Sequence, residues 1–146
     1  MKNTLAGTVV LSLAAIALFP TQASAATLLQ RVCQLDATDD TLSDESLFDR
    51  HLFTATAGQS VTVSLSSSDF DPYILLLDAN NETLGENDDI SQRNLNSRLT
   101  VTLPSNGQYS ILANSQSNLG LGRYRLTITS PTHTEQRPTK LPTDCR

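Results

Sequence analysis

The chain has no tryptophan, one methionine, two histidines and two cysteines among its 146 residues. Without tryptophan it lacks the large aromatic anchor that is common in lectin-like sites. The two histidines, His51 and His133, are not accompanied by a G-x-S-x-G elbow, so no Ser-His-Asp triad is indicated. A zinc site would need more ligands than these two histidines. We therefore expect surface histidines and no catalytic residue.

Basic residues are also scarce, with 10 Lys and Arg against 15 Asp and Glu and a net charge of −5. This balance argues against binding to nucleic acid or to anionic membranes. The charge is uneven along the chain, because thirteen of the fifteen acidic residues lie between Asp36 and Asp89. Most basic residues lie between Arg93 and Arg146. The sequence does not decide whether the fold mixes these groups or separates them.

The N-terminus has the pattern of a secretory signal peptide. Lys2 precedes the apolar segment 9–19, and Ala23-Ser24-Ala25 is the small-x-small sequence that signal peptidase cuts after. The apolar segment is shorter than the roughly 18 to 20 residues of a membrane span, and no second candidate follows. We predict residues 1–25 to be a signal peptide that is cleaved near Ala25, which makes the mature protein secreted or periplasmic.

The two cysteines, Cys33 and Cys145, lie near opposite ends of the mature chain. In an oxidising compartment such a pair predicts one disulfide that ties the termini together. In the chain-entropy model this bond would stabilise the fold by at most about 4 to 5 kcal/mol. The alternative is two free or intermolecular thiols.

Short stretches of alternating apolar and polar residues fill the rest of the chain, and no helical pattern follows the signal peptide. Val61, Val63 and Leu65 alternate with serine and threonine, which predicts a half-buried antiparallel strand. The continuous apolar run 73–77 predicts a strand buried on both faces or nearly so. Similar patterns recur at regular spacing, with Leu99, Val101 and Leu103, then Tyr109, Ile111 and Ala113, then Tyr124, Leu126 and Ile128 facing inward.

These patterns predict an all-β fold, an antiparallel β-sandwich of jelly-roll-like type. We divide the mature chain into an N-terminal segment (26–41), the sandwich (42–129) and a tail with proline and threonine (130–146). Six aromatic residues within the apolar sets favour core packing over a sugar-stacking platform: Phe48, Phe53, Phe70, Tyr73, Tyr109 and Tyr124.

Acidic and amide residues flank the apolar run and form the most informative group: Asp69, Asp71, Asp78, Asn87, Asp88 and Asp89. Calcium takes about six to eight oxygen ligands, which clustered carboxylates can provide. The spacing is not that of an EF-hand loop. The favoured interpretation is that these side chains cap turns, with a calcium site as the alternative. Acid-base catalysis by paired carboxylates is disfavoured, because adjacent aspartates on a polar loop are expected to be simply ionised.

Taken in order, six short pieces resemble the bacterial pre-peptidase C-terminal domain family, over about residues 42–129. They are FTATAGQSV (53–61), FDPYILLLD (70–78), NDD (87–89), NSRL (96–99), GQYSI (107–111) and GRYRL (122–126). The resemblance implies a β-sandwich module without catalytic activity that accompanies secreted enzymes. Related collagenase modules bind substrate and calcium, so the resemblance also implies a binding surface. Here the mature chain is little more than the domain, so the accessory role does not carry over directly.

The sequence therefore predicts a secreted, non-catalytic binding or accessory module that contacts an extracellular protein or polysaccharide. The first alternative is a calcium-dependent structural or adhesive module, with calcium as the sole candidate cofactor. The second, disfavoured, is a small secreted hydrolase.

Overall fold

The computed structural model describes residues 25–118 and 120–131. These residues form nine strands and no helix. The strands are β1 (Ala25–Leu35), β2 (Asp40–Thr41), β3 (Leu47–Ala55), β4 (Ser60–Ser67), β5 (Pro72–Leu77), β6 (Thr83–Asn87), β7 (Ser97–Thr102), β8 (Gly107–Ser115) and β9 (Gly122–Pro131). The predicted signal peptide, the tail beyond residue 131, His133 and Cys145 lie outside the described residues.

Two antiparallel sheets pack face to face as a sandwich. One has four strands in the order β1-β9-β4-β7, and the other has five in the order β2-β3-β8-β5-β6. Apart from the two-residue β2, each sheet contributes four strands, and the chain passes repeatedly from one sheet to the other. This is the order of a jelly roll, so the predicted fold class is confirmed.

The core lies between the sheets and consists of the side chains that the alternation predicted to face inward. Val61, Val63 and Leu65 are fully buried, whereas the serines and threonines between them are partly exposed. The predicted inward residues of β8 and β9 are also buried, and Leu99 and Val101 of β7 pack against them. Alternation works here because successive side chains of a strand point to opposite faces.

Strand β5 is buried on its inner face and partly buried on its outer face, which agrees with the predicted burial on both faces or nearly so. Ile74 and Leu76 face the main core, whereas Leu77 belongs to a small second cluster with Phe48 and Leu112. Leu42, from the connection between β2 and β3, packs against this second cluster and covers part of the outer face of the five-stranded sheet.

The stretch that the sequence assigned to a separate N-terminal segment, 26–41, carries two strands of the sheets. β1 pairs with β9 from Ala25↔Pro131 to Leu35↔Gly122, with a bulge between Thr27 and Leu29. Its side chains Leu29, Cys33 and Leu35 are buried in the main core. Cys33 is disulfide-bonded. Because Cys145 lies outside the described residues, the pairing of Cys33 with Cys145 stays a prediction.

Within the two described ranges there is no helix long and apolar enough to cross a membrane.

Candidate functional site

The β5–β6 hairpin brings three of the predicted acidic residues together at one end of the sandwich. Asp71 directly precedes β5, and Asp88 and Asp89 directly follow β6. The two strands pair antiparallel with Ile74 opposite Asn87, so the residues before β5 meet the residues after β6. We call Asp71, Asp88 and Asp89 the acidic cluster.

The carboxylates of the acidic cluster converge closely enough to share one ion. One oxygen from each lies within 4.8 Å of the others. In all three residues the Oδ1 atom is buried and has no hydrogen-bond partner. Buried polar atoms normally have a partner, so three unpartnered oxygens on carboxylates that lie this close together are an unusual arrangement.

Burial and mutual repulsion both disfavour the ionised cluster. Desolvation raises the pKa of Asp71, and the charges of Asp88 and Asp89 raise it further. The pKa of Asp88 is also raised, first by desolvation and then by Asp89. A divalent cation would reverse both effects, because it supplies positive charge and coordinates the unpartnered oxygens.

Asp69 is not part of this cluster. Its Oδ2 accepts a hydrogen bond of 2.8 Å from the backbone N–H of Arg123, at the start of β9. This bond is the main reason that the pKa of Asp69 is lowered. The contact requires a glycine at position 122, where φ is +135° and an added Cβ would lie 2.3 Å from the Cβ of Asp69. Asp69 therefore links the connection between β4 and β5 to the start of β9.

Asp78 and Asn87 also serve the backbone. Asp78 Oδ1 accepts bonds from the N–H groups of Asn80 (2.8 Å) and Glu82 (2.9 Å) in the turn of the hairpin. This turn lies at the opposite end of β5 from the acidic cluster, about 20 Å away at the rise of a strand. Asn87 Oδ1 accepts a 2.9 Å bond from the N–H of Arg98 and so joins β6 to β7. Of the six predicted residues, three converge and three cap turns or strand ends.

A second polar group, which the sequence did not indicate, lies between the sheets. His51 Nε2 is 2.7 Å from the Tyr124 hydroxyl, and that hydroxyl donates a hydrogen bond to Asp49 Oδ2. Since the hydroxyl proton is given to Asp49, Nε2 must carry the proton of the neutral ring and donate to the tyrosine oxygen. We call these three residues the buried network.

The expectation that His51 is a surface residue is wrong, because its side chain is only 8% exposed. It shares the inward face of β3 with Asp49, Phe53 and Ala55, and this alternation was the signal that could have revealed it. Desolvation, followed by the nearby charge of Arg31, lowers the pKa of His51 to about 4. Burial raises the pKa of Asp49, and it raises that of Tyr124 well above its usual range.

The buried network does not form a metal site, although Cys33, Asp49 and His51 have ligand atoms within 4.8 Å of one another. The Cys33 sulfur is in a disulfide, and the Nε2 of His51 is engaged by Tyr124. The network instead satisfies polar groups that the packing of β1, β3 and β9 removes from water.

The predicted aromatic residues pack largely as core. Phe53 and Tyr109 stack with ring centroids 5.7 Å apart, and Tyr124 is 2% exposed. Phe70 packs against the core from a partly buried position. Tyr73 is partly buried too, and burial together with its hydrogen bond to Glu86 raises its pKa to about 12.

Comparison with known proteins identifies one family. Residues 48–115, from β3 to the end of β8, match the model of the bacterial pre-peptidase C-terminal domain, which confirms the predicted resemblance. No curated protein matches the chain. Among solved structures, the chain is similar to Aeromonas hydrophila PliG, a periplasmic lysozyme inhibitor of g-type lysozyme. The identity is 18%, the match covers 78% of this chain and 92% of that one, and the TM-score is 0.49.

Proposed function

Because residues 48–115 match the bacterial pre-peptidase C-terminal domain family, we propose that the protein is an exported, non-catalytic binding or accessory module. We further propose that Asp71, Asp88 and Asp89 bind calcium. The ion would stabilise the connections at this end of the sandwich, which would contact the partner. The observation that supports the metal is the set of three buried carboxylate oxygens without partners. The family match supports a module rather than an enzyme.

Calcium fits this site in charge and in ligand type. It prefers carboxylate, carbonyl and water oxygens, and the acidic cluster offers three carboxylates on two neighbouring connections. Carbonyl groups and water would complete the roughly six to eight ligands. Extracellular modules bind calcium with dissociation constants of about 0.1 to 1 mM, and a site with three protein carboxylates and partial exposure is expected in that range.

The position of the cluster suggests what the metal would do. Asp71 ends the connection from β4 to β5, whereas Asp88 and Asp89 begin the connection from β6 to β7. A shared ion would hold these two connections together. The second connection carries Ile90 and Leu95, which are 37% and 52% exposed. Exposed apolar side chains on a loop with a fixed shape are suited to contact with a partner.

Thermal unfolding of the mature, oxidised protein tests the metal site. At 10 mM calcium, the expected affinity stabilises the native state by about 1.4 to 2.7 kcal/mol. For a domain of this size that raises Tm by about 4 °C or more relative to excess chelator. Asp71→Asn and Asp88→Asn should each abolish the rise. In chelator, Asp88→Asn should also raise Tm, because it removes a repulsive charge from the cluster.

Asp78→Asn is the matched control, since it removes the same charge from the far end of the hairpin. It should lower Tm by weakening the turn and leave the calcium response unchanged. If calcium has no effect on the wild-type protein, or if Asp78→Asn removes the response as completely as Asp88→Asn does, the metal site is refuted. The acidic cluster would then be a destabilising feature of the loops.

A further inference from the structure

The four-stranded sheet has a charge character opposite to that of the whole protein. Strands β1, β4, β7 and β9 contain no aspartate or glutamate, although the chain has 15 such residues. Arg98, Arg123 and Arg125 are all exposed in these strands. The residues next to these arginines in sequence, Leu99, Tyr124 and Leu126, face the core. The three arginines therefore project from the outer face of the sheet. The fold thus gathers positive charge on one face of a molecule with a net charge of −5.

Apart from the partly buried Val32 of β1, the other side chains of this outer face are mainly hydroxyls and amides. They are Gln30 and Gln34 of β1, Thr62, Ser64 and Ser66 of β4, Thr100 and Thr102 of β7, and Thr127 and Thr129 of β9. Among the described residues, the exposed large hydrophobic side chains are Leu52, Ile90, Leu95 and Leu121, and all four lie outside these strands. The face is therefore positive, rich in hydrogen-bonding groups and, in these four strands, without an exposed large apolar side chain.

A depression of about 370 Å³ lies at one end of this face. Its lining includes Arg123 and Arg125, the serines 66–68, Val32 and Asn96. The strand register places Arg125 directly between Val32 and Ser66. Residues two apart on one face of a strand are separated by about 6 to 7 Å, so both guanidinium groups can reach a single anionic group.

We propose that this face binds an acidic polysaccharide. Arg123 and Arg125 hold a sulfate or carboxylate group in the depression, and Arg98 contacts the polysaccharide further along its length. This proposal rests on the proposed function as a binding module and names its partner class and surface. Arginine forms paired charge-assisted hydrogen bonds with such groups, and the flanking hydroxyls and amides match the polar surface of a sugar chain.

Two other partner classes fit this face less well. Neutral sugars are usually held by exposed aromatic rings, and the exposed residues of these four strands include none. Stable protein interfaces have a core of apolar and aromatic side chains, which this face also lacks. Positive charge combined with hydroxyl groups favours a sugar polymer that carries negative charge.

The test compares binding of dextran sulfate and of unmodified dextran of the same length by calorimetry, at low and at high salt, with chelator present. We expect dextran sulfate to bind, dextran not to bind, and high salt to weaken binding. Arg123→Gln and Arg125→Gln should each weaken binding at least about tenfold, the expected loss for a charge-assisted hydrogen bond. Arg50→Gln is the matched control, because Arg50 is exposed on the outer face of the other sheet, and this variant should bind within twofold of wild type.

Equal losses in Arg50→Gln and Arg125→Gln would overturn the proposal, since binding would then follow net charge alone. Binding of poly-glutamate as tight as that of dextran sulfate at matched charge would also overturn it, in favour of an acidic protein. Unfolding curves with and without calcium, recorded on the same variants, separate the two proposals. A retained calcium response without dextran sulfate binding refutes only the sugar face, and the reverse result refutes only the metal site.

Discussion

Protonation of His51 is expected to weaken the fold progressively as the pH falls below about 6.5. The ring lies between the sheets, where its pKa is about 4, whereas an exposed histidine titrates near 6.5. The folded state therefore binds this proton later than the unfolded state as the pH falls. The stability that depends on the neutral ring is complete above about pH 6.5 and is lost progressively toward pH 4.

The size of the effect follows from the two pKa values. Each unit of difference corresponds to about 1.36 kcal/mol, so the limiting loss is about 3 kcal/mol, most of which is reached by pH 4.5. The positive charge of Arg31 also lowers the pKa of His51 and so acts in the same direction. Asp49 acts in the opposite direction, because its raised pKa lets the folded state take up a proton first as the pH falls.

Comparison with His51→Gln isolates the histidine. Glutamine can still donate a hydrogen bond to the Tyr124 hydroxyl and has no proton to gain, whereas every carboxylate titrates in both proteins. Urea unfolding at intervals from pH 7.5 to 4.5 should show that wild type loses roughly 2 to 3 kcal/mol more than the variant over this range. If the two proteins lose the same free energy of unfolding, the ring does not have a lowered pKa and the described burial of His51 has no energetic consequence.

Two pairs of substitutions, each a test variant and its control, probe the loops and the buried network. Gly122→Ala should destabilise the fold by about 3 kcal/mol or more, because the new methyl group meets Asp69 and the backbone has a positive φ. Gly58→Ala also has a positive φ but meets no atom within 4 Å, so it should cost only about 1 to 2 kcal/mol, and equal costs would contradict the described contact. Tyr124→Phe should cost about 3 kcal/mol in urea unfolding, because it leaves two buried polar groups without a partner. Tyr109→Phe should cost about 1 kcal/mol, since its hydroxyl donates to a carbonyl group in an exposed turn that water can reach.

The sequence by itself determined the fold class and most of the core. The alternation in 60–66 predicted which side of β4 is buried, and the unbroken apolar run 73–77 predicted a strand covered on both faces. These patterns are local, because the period of two assigns each side chain to one face of its own strand. The order of the six short motifs was also sufficient to predict the family that the comparison confirmed.

Only the tertiary structure decided which side chains meet. The six acidic and amide residues looked alike in the sequence, and the hairpin register alone separates the acidic cluster from Asp69, Asp78 and Asn87. The alternation within β3 could have assigned His51 to the buried face, but only the packing of β9 against β3 decides that its ring meets the Tyr124 hydroxyl. The outer face that carries Arg98, Arg123 and Arg125 exists because β7 and β9, which are distant from each other in sequence, join the same sheet. Alternation within a strand assigns each side chain to one face of the sheet. Long-range strand pairing determines which side chains become neighbours, and these neighbours form both the acidic cluster and the outer face with the three arginines.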